Sequence, residues 1–171
     1  MSLYLLDTNI YINFYDRFYR FEHFPGFWNV FKDILNEFVI LPNVVLDEIN
    51  KSPEFHNWLN NNLKSVNSVV INHKTYAEQW ADVIQYIAEH PCYSEKALTD
   101  ANSWTRERVA DGWLIAIAKK EGYTIVTDEL SNPNLNAHHP SSSVKIPDIA
   151  KDFNIQCISM NAFFKKIGFK L

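Results

Sequence analysis

Short apolar runs that alternate with helical segments are the feature that most constrains this chain. The runs Leu3–Leu6, Val39–Leu41, Tyr123–Thr127 and Ile155–Ile158 have the length and composition of strands buried on both faces. Segments with helical spacing separate these runs, and no hairpin turn signal joins any two of them. The order predicts an α/β fold, with a central parallel sheet of about four to five strands flanked by helices in three layers.

Helical spacing and helix-ending residues locate the segments between the strands. The predicted helices cover about 28–37, 43–49, 52–63, 75–90, 94–104, 109–122, the stretch after Pro147, and 160–167. Ser94 is predicted to cap the start of the helix at 94–104. Gly122 is predicted to end the helix at 109–122. The run Val69–Ile71 fits either an extra strand or a turn that links two helices.

Length and composition indicate one globular domain covering residues 1–171. The chain has 171 residues, 47% hydrophobic and 21% charged, and its four glycines argue against a β-rich fold with many turns. A formal charge of −4 does not indicate nucleic-acid binding, but carboxylates gathered around divalent metal ions reverse the local sign of charge.

Cysteine use and the N-terminal sequence suggest a cytoplasmic protein. Cys92 and Cys157 are the only cysteines and form neither a disulfide framework nor a zinc-binding pattern, which suggests a reducing compartment. No signal peptide and no apolar run of membrane-spanning length is expected from the sequence.

Aromatic residues are concentrated between Phe14 and Trp28, interleaved with Arg17, Arg20 and His23. Most of these rings are expected to pack in the core, because aromatic side chains carry large buried areas. A surface that stacks single-stranded bases, or a groove for a protein partner, would use the same composition.

Four acidic residues are expected where strands or their connecting helices end. Asp7 follows the first strand, Glu48 lies in the helix after the second, Asp111 opens the long apolar helix, and Glu129 follows the third clear strand. Carboxylates converging on one sheet edge repel one another, and hard cations such as Mg²⁺ or Mn²⁺ compensate them through oxygen ligands. The set therefore predicts a metal site.

Each acid also has a simpler structural interpretation. Asp7 and Asp111 are placed to cap helices, a role that contributes about 1 kcal/mol each. Glu48 beside Asp47 fits a solvated helix face, and Asp128-Glu129 fits an ordinary turn after a strand. The joint pattern of all four favours the metal site.

Four segments together resemble the successive motifs of the PIN domain. They are Leu5-Leu6-Asp7-Thr8-Asn9, Val45-Leu46-Asp47-Glu48, Ala110-Asp111-Gly112-Trp113-Leu114-Ile115-Ala116 and Val126-Thr127-Asp128-Glu129. Their order and spread match, and the resemblance covers the whole chain. Trp113–Ala116 and Val144–Pro147 are similar to a poorly characterised, toxin-like prokaryotic PIN subfamily.

The resemblance implies a metal-dependent ribonuclease, often the toxin of a type II toxin–antitoxin pair. It implies that Asp7, Glu48, Asp111 and Glu129 hold Mg²⁺ or Mn²⁺ and form the catalytic set. The family's last motif selects Glu129, where aspartate is commoner, and the adjacent Asp128 is an alternative fourth acid. The implied reaction is hydrolysis of single-stranded RNA by a water molecule that the metal activates.

Residues around these acids are expected to assist. By the same resemblance, Thr8, Asn9 and Thr127 orient ligands or water. Arg106 and Arg108 shortly precede Asp111 and are candidates for phosphate contacts, or ordinary surface cations. The expected partners are RNA, an antitoxin protein and a second copy of the chain, with no membrane.

Two other function classes fit parts of the sequence. A PIN-fold protein with little catalysis would use the aromatic segment to bind a protein or RNA partner. Phosphoryl transfer through an aspartyl nucleophile at Asp7 would suit an acid after a strand, but such enzymes generally need a second acid where this chain has Asn9. His138 and His139 lie in a Pro/Ser/Asn-rich stretch, where an exposed loop is expected instead of a metal site.

Overall fold

The central sheet is entirely parallel and has five strands in the computed structural model, which describes residues 2–49, 52–63 and 69–170. The strands are β1 (Tyr4–Leu6), β2 (Val39–Pro42), β3 (Val70–Ile71), β4 (Thr124–Val126) and β5 (Cys157–Ile158). Their order across the sheet is β3-β2-β1-β4-β5. Helices flank the sheet, so the predicted α/β fold with a parallel sheet of four to five strands is confirmed.

Helices follow each strand along the described chain except β3, which a 3₁₀ turn and then a helix follow, so strands and helices alternate as predicted. The helices are α1 (Thr8–Ile12), α2 (Pro25–Phe38), α3 (Asn43–Ile49), α4 (Pro53–Asn62), α5 (Ala77–Glu89), α6 (Glu95–Thr99), α7 (Ala110–Glu121), α8 (Ile146–Asp152) and α9 (Met160–Lys166). A π-helical stretch, Asn13–Phe18, continues α1, and a 3₁₀ turn, His73–Tyr76, precedes α5. Within the described ranges, no helix is both long and apolar enough to cross a membrane.

Two local predictions are decided by the structure. The undecided run at 69–71 contributes strand β3, whose Val70 and Ile71 pair with Leu41 and Pro42. Pro42 is tolerated because it is the last residue of its strand.

The helix predicted for 94–104 is too long, since α6 ends at Thr99. The hydroxyl groups of Ser103 and Thr105 both donate to the Leu98 carbonyl, at 2.9 and 2.8 Å, so side chains take the place of a continuing backbone ladder. Ser94 occupies the predicted cap position of α6, but its hydroxyl donates to the Ser141 carbonyl and accepts no capping bond from a helix N–H.

The aromatic segment packs mostly in the core. The Phe14 ring lies 5.2, 5.0 and 5.7 Å from those of Phe27, Phe31 and Phe164, in edge and stacked arrangements that stabilise aromatic clusters. The expectation of core packing is confirmed for most of these rings. Phe18 and Phe24 are the exceptions, with 49% and 45% of their surfaces exposed.

The order of the strands creates a crevice between β1 and β4. From β1 the chain crosses to β2 and then β3 on one side, whereas β4 lies on the other side and leads to β5. In open parallel sheets, ligand sites form outside the carboxyl ends of the strands at this point of reversal. The residues that follow β1 and β4 are Asp7 and Thr127.

Gly122 ends α7 in the left-handed conformation, with φ of 74° and its N–H donating to the Ala118 carbonyl. We expect Gly122→Ala to lower the free energy of unfolding by about 1 kcal/mol, because a Cβ is strained at this φ. Denaturant titration of the native chain and of Gly122→Ala measures this difference in the free energy of unfolding. Gly26→Ala is the matched control: Gly26 lies in the first turn of α2, nothing lies within 4 Å of the added Cβ, and no loss of stability is expected. Equal losses at both sites would contradict the explanation.

Candidate functional site

Asp7 is buried directly after β1. Its N–H donates to the Val126 carbonyl at 2.9 Å, which keeps this residue beside β4. Its carboxylate accepts from the Thr127 hydroxyl at 2.8 Å and, more weakly, from the Asn9 N–H at 3.5 Å. Burial raises the pKa of Asp7 to about 6 against the opposing effect of these hydrogen bonds, and nearby carboxylates raise it further. Asp7 therefore both caps α1 and faces the crevice.

Glu48 connects the starts of two helices. One carboxylate oxygen accepts from the Ala110 N–H at 3.0 Å, at the first residue of α7, and the other accepts from the Thr8 hydroxyl. Glu48 therefore satisfies one of the N–H groups that every helix start leaves unpaired. The alternative interpretation of Glu48 as a solvated helix face is wrong.

Asp111 lies one residue inside α7 and does not cap it. The cap position belongs to Val109, which makes no side-chain capping bond, so the capping interpretation of Asp111 is wrong. Burial raises the pKa of Asp111 to about 8, and the charges of Asp7, Glu129 and Glu48 act in the same direction. The other three predicted acids therefore lie close enough to Asp111 for their charges to disfavour its ionised form.

Glu129 and Asp128 point to different surroundings. Glu129 accepts from the Lys145 ammonium at 2.7 Å and from the Ile146 N–H, at the start of α8, at 2.8 Å. Asp128 is exposed and accepts from the Met160 N–H at the start of α9. Of these two residues, Glu129 raises the pKa values of Asp7 and Asp111 through its charge and Asp128 does not. The structure therefore groups Glu129, and not Asp128, with the other acids.

Two clefts adjoin these acids. The larger, of about 690 Å³, is lined by Asp7, Thr8, Asn9, Glu48, His73, Lys74, Asn102, Glu107, Arg108 and Asp111. The smaller, of about 350 Å³, is lined by Asp111, Glu129, Lys145 and parts of the 96–104 and 142–144 segments. Asp111 belongs to both clefts and therefore stands at their junction.

The two predicted arginines both hold the turn after α6. Arg106 donates to the carbonyls of Thr99 and Asp100, and Arg108 donates to the Ala101 carbonyl at 2.6 Å and to the Asn102 side chain at 3.1 Å. Of the two, only Arg108 also lines the larger cleft. The structure thus places one of the two predicted arginines in the cleft.

Sequence reasoning missed two lysines. Lys74 lines the larger cleft just after β3, and assigning Val70–Ile71 as a strand would have placed it at the same sheet edge. Lys145 pairs with Glu129, and no spacing in the sequence marks it as a partner of that acid. His138 and His139 lie in an exposed loop and donate their backbone N–H groups to Asn136, as expected.

The donor set fits a hard divalent cation in its chemistry. All four acids offer carboxylate oxygens, and Asp7, Glu48 and Asp111 form no ion pair with any described residue. Their spacing is wider than a ligand shell: in the part of the chain that the structure describes, no three His, Cys, Asp or Glu side chains lie close enough together to hold a metal ion. Binding an ion therefore requires these side chains to move toward it.

Comparison with known proteins identifies a family but no characterised relative. No curated protein and no solved structure matches the chain. A family model described as a domain of unknown function, DUF4411, matches residues 4–171. Because this match covers nearly the whole length, the chain belongs to the DUF4411 family.

Proposed function

We propose that this protein is a Mg²⁺- or Mn²⁺-dependent ribonuclease of the PIN type that cleaves single-stranded RNA in the cytoplasm, as the toxin of a toxin–antitoxin pair. The observation that carries the proposal is the electrostatic grouping of Asp7, Glu48, Asp111 and Glu129, which come from four separate segments of the chain. Asp7 and Glu129 lie just beyond the carboxyl ends of β1 and β4, where parallel sheets form ligand sites, and Glu48 and Asp111 come from helices α3 and α7.

The burial of Asp7 and the half-burial of Asp111 support a functional role. A carboxylate withdrawn from water and surrounded by other carboxylates destabilises the fold in its charged form. Asp7 and Asp111 both have raised pKa values for this reason, and strongly perturbed groups beside a cleft are typical of functional sites. A bound cation would offset the repulsion.

The side chains around the acids are arranged to orient them. Thr127 and Asn9 donate to Asp7, while Thr8 and Ala110 donate to Glu48, and each contact fixes the direction of a carboxylate. These are the orienting roles proposed for Thr8, Asn9 and Thr127. When bound, the metal ion would activate water and stabilise the charge that develops on the phosphodiester.

The larger cleft has the chemistry to bind RNA beside the acids. Arg108 and Lys74 line it, and both are exposed. Cations at such positions bind phosphate oxygens and fix the register of a nucleic-acid strand without reading its sequence. We assign this role to Arg108 and Lys74, and a structural role in the neighbouring turn to Arg106.

A catalytically weak binding module of the same fold is the second candidate. It is favoured by the spacing of the described acids, which form no ready ligand shell. The exposed rings of Phe18 and Phe24 would then contact an antitoxin, a second copy of the chain or another partner.

Titration with Mn²⁺ in a calorimeter separates the two candidates. We expect the native chain to bind Mn²⁺ and to cleave single-stranded RNA only in its presence, and Asp7→Asn to bind it at least about tenfold more weakly. Because Asp111 has a pKa of about 8, binding at neutral pH should release a proton, so the measured heat should depend on the buffer. A native chain that neither binds Mn²⁺ nor cleaves RNA would reject the nuclease and favour the binding module.

A further inference from the structure

Among the residues that the structure describes, Lys145 forms an ion pair with Glu129, whereas Asp7, Glu48 and Asp111 form none. The Lys145 ammonium lies 2.7 Å from one oxygen of Glu129, and the N–H of the next residue, Ile146, lies 2.8 Å from the other. Both oxygens are thus occupied by donors from adjacent residues at the start of α8. The side chains of Lys145 and Glu129 remain 36% and 23% exposed, so the pair borders the smaller cleft without being sealed from water.

The pair is joined to the rest of the site. The Glu129 N–H donates to the Thr127 hydroxyl at 3.0 Å, and that hydroxyl donates to Asp7 at 2.8 Å. Within the described ranges, the donors to Asp7 and Glu48 are all neutral hydroxyl and N–H groups. A charged donor holds a carboxylate more strongly than a neutral one does.

From this geometry we propose that Lys145 is a positioning residue that competes with a divalent cation for Glu129, an inference that rests on the proposed metal site. While the ammonium is bound, Glu129 is directed toward the start of α8 and its charge is balanced within the protein. For Glu129 to join a metal site, Lys145 must release it. Lys145 therefore sets how tightly the site takes a cation.

The test is Lys145→Met, which keeps much of the side-chain volume and removes the charge. We expect calorimetric titration to show Mn²⁺ bound about tenfold more tightly than by the native chain, equivalent to about 1.4 kcal/mol. The gain should disappear when Glu129→Gln is present in both chains, since Lys145 then has no carboxylate to withhold. Lys120→Met, which removes an exposed cation in the last turn of α7, is the control and should leave Mn²⁺ affinity unchanged.

A second readout uses the chain without metal. Lys145→Met should lower the melting temperature, because the Glu129 charge is left beside Asp7 and Asp111 without compensation, and adding Glu129→Gln should restore most of the loss. If Lys145 served only to anchor α8, Lys145→Met would leave Mn²⁺ affinity unchanged or weaken it. Adding Glu129→Gln would then restore none of the lost melting temperature.

The outcomes separate this inference from the nuclease proposal. Native Mn²⁺ binding and RNA cleavage with no change of affinity in Lys145→Met would overturn the role of Lys145 and leave the nuclease standing. A native chain that cleaves nothing, with Mn²⁺ bound more tightly by Lys145→Met, would support the competition and reject the nuclease. Absence of Mn²⁺ binding by both chains would overturn both.

Discussion

Replacing Asp111 with Asn is expected to reduce Mn²⁺-dependent cleavage of single-stranded RNA by about 10³-fold, the scale of losing one element of charge stabilisation at a reacting phosphate. Asp111 stands at the junction of the two clefts and lies near the other three acids, so its carboxylate is the least replaceable ligand. Asn keeps the shape but carries no charge. Single-turnover cleavage of an end-labelled RNA at saturating Mn²⁺ measures the loss.

Asp128→Asn is the matched control for this experiment. It removes a carboxylate only one residue from Glu129, but the Asn oxygen can still accept from the Met160 N–H at the start of α9. Cleavage should therefore stay within about threefold of the native rate. If Asp128→Asn were inactive and Asp111→Asn active, the assignment of the acids would be wrong.

The metal-free fold should lose stability as the pH rises, through Asp7 and Asp111. Their pKa values in the folded chain, about 6 and about 8, lie above the ordinary value of 3.8. Both groups are protonated in either state at low pH, and above pH 4 the unfolded chain releases these protons first. Their stabilising contribution is therefore complete below about pH 4 and is lost as the pH rises through about 6 and then about 8.

Asp111→Asn isolates this effect from other titrating groups. The free energy of unfolding of Asp111→Asn minus that of the metal-free native chain should increase by on the order of 3 kcal/mol between about pH 5 and about pH 9. Urea titrations across this range measure the difference. A fixed concentration of Mn²⁺ should stabilise the native chain most at the alkaline end, where Asp111 is ionised, and should stabilise the variant with a weaker dependence on pH. A difference that stayed constant with pH would show that Asp111 is not withdrawn from water.

The strands and their direction could be predicted because their signals are local. Runs such as Leu3–Leu6 and Tyr123–Thr127 consist of apolar, aromatic and β-branched residues, which is typical of strands covered on both faces, and strands β1 and β4 lie within them. Once the sheet is parallel, residues after different strands must share an edge. The nearness of Asp7 and Glu129 follows from that rule without knowledge of any side-chain contact.

The contacts that sequence reasoning missed are side-chain contacts that no spacing in the sequence marks. Glu48 caps a helix that begins 62 positions later, and Lys145 pairs with an acid 16 positions before it. Helical propensity extended α6 to Trp104, whereas the side chains of Ser103 and Thr105 turn back to Leu98. Side-chain hydrogen bonds decided each case, and helical propensity and apolar spacing carry no information about them.

The bond from Ala110 to Glu48 means that one glutamate serves both architecture and chemistry. A descendant that abandoned RNA cleavage would still need an acceptor at the start of α7, so natural selection would retain Glu48 for folding alone. Asp111 accepts a hydrogen bond from the Trp104 side chain, but Asn at this position could still accept that bond without carrying the buried charge. In descendants that have lost RNA cleavage, we therefore expect substitutions to appear at position 111 before they appear at position 48.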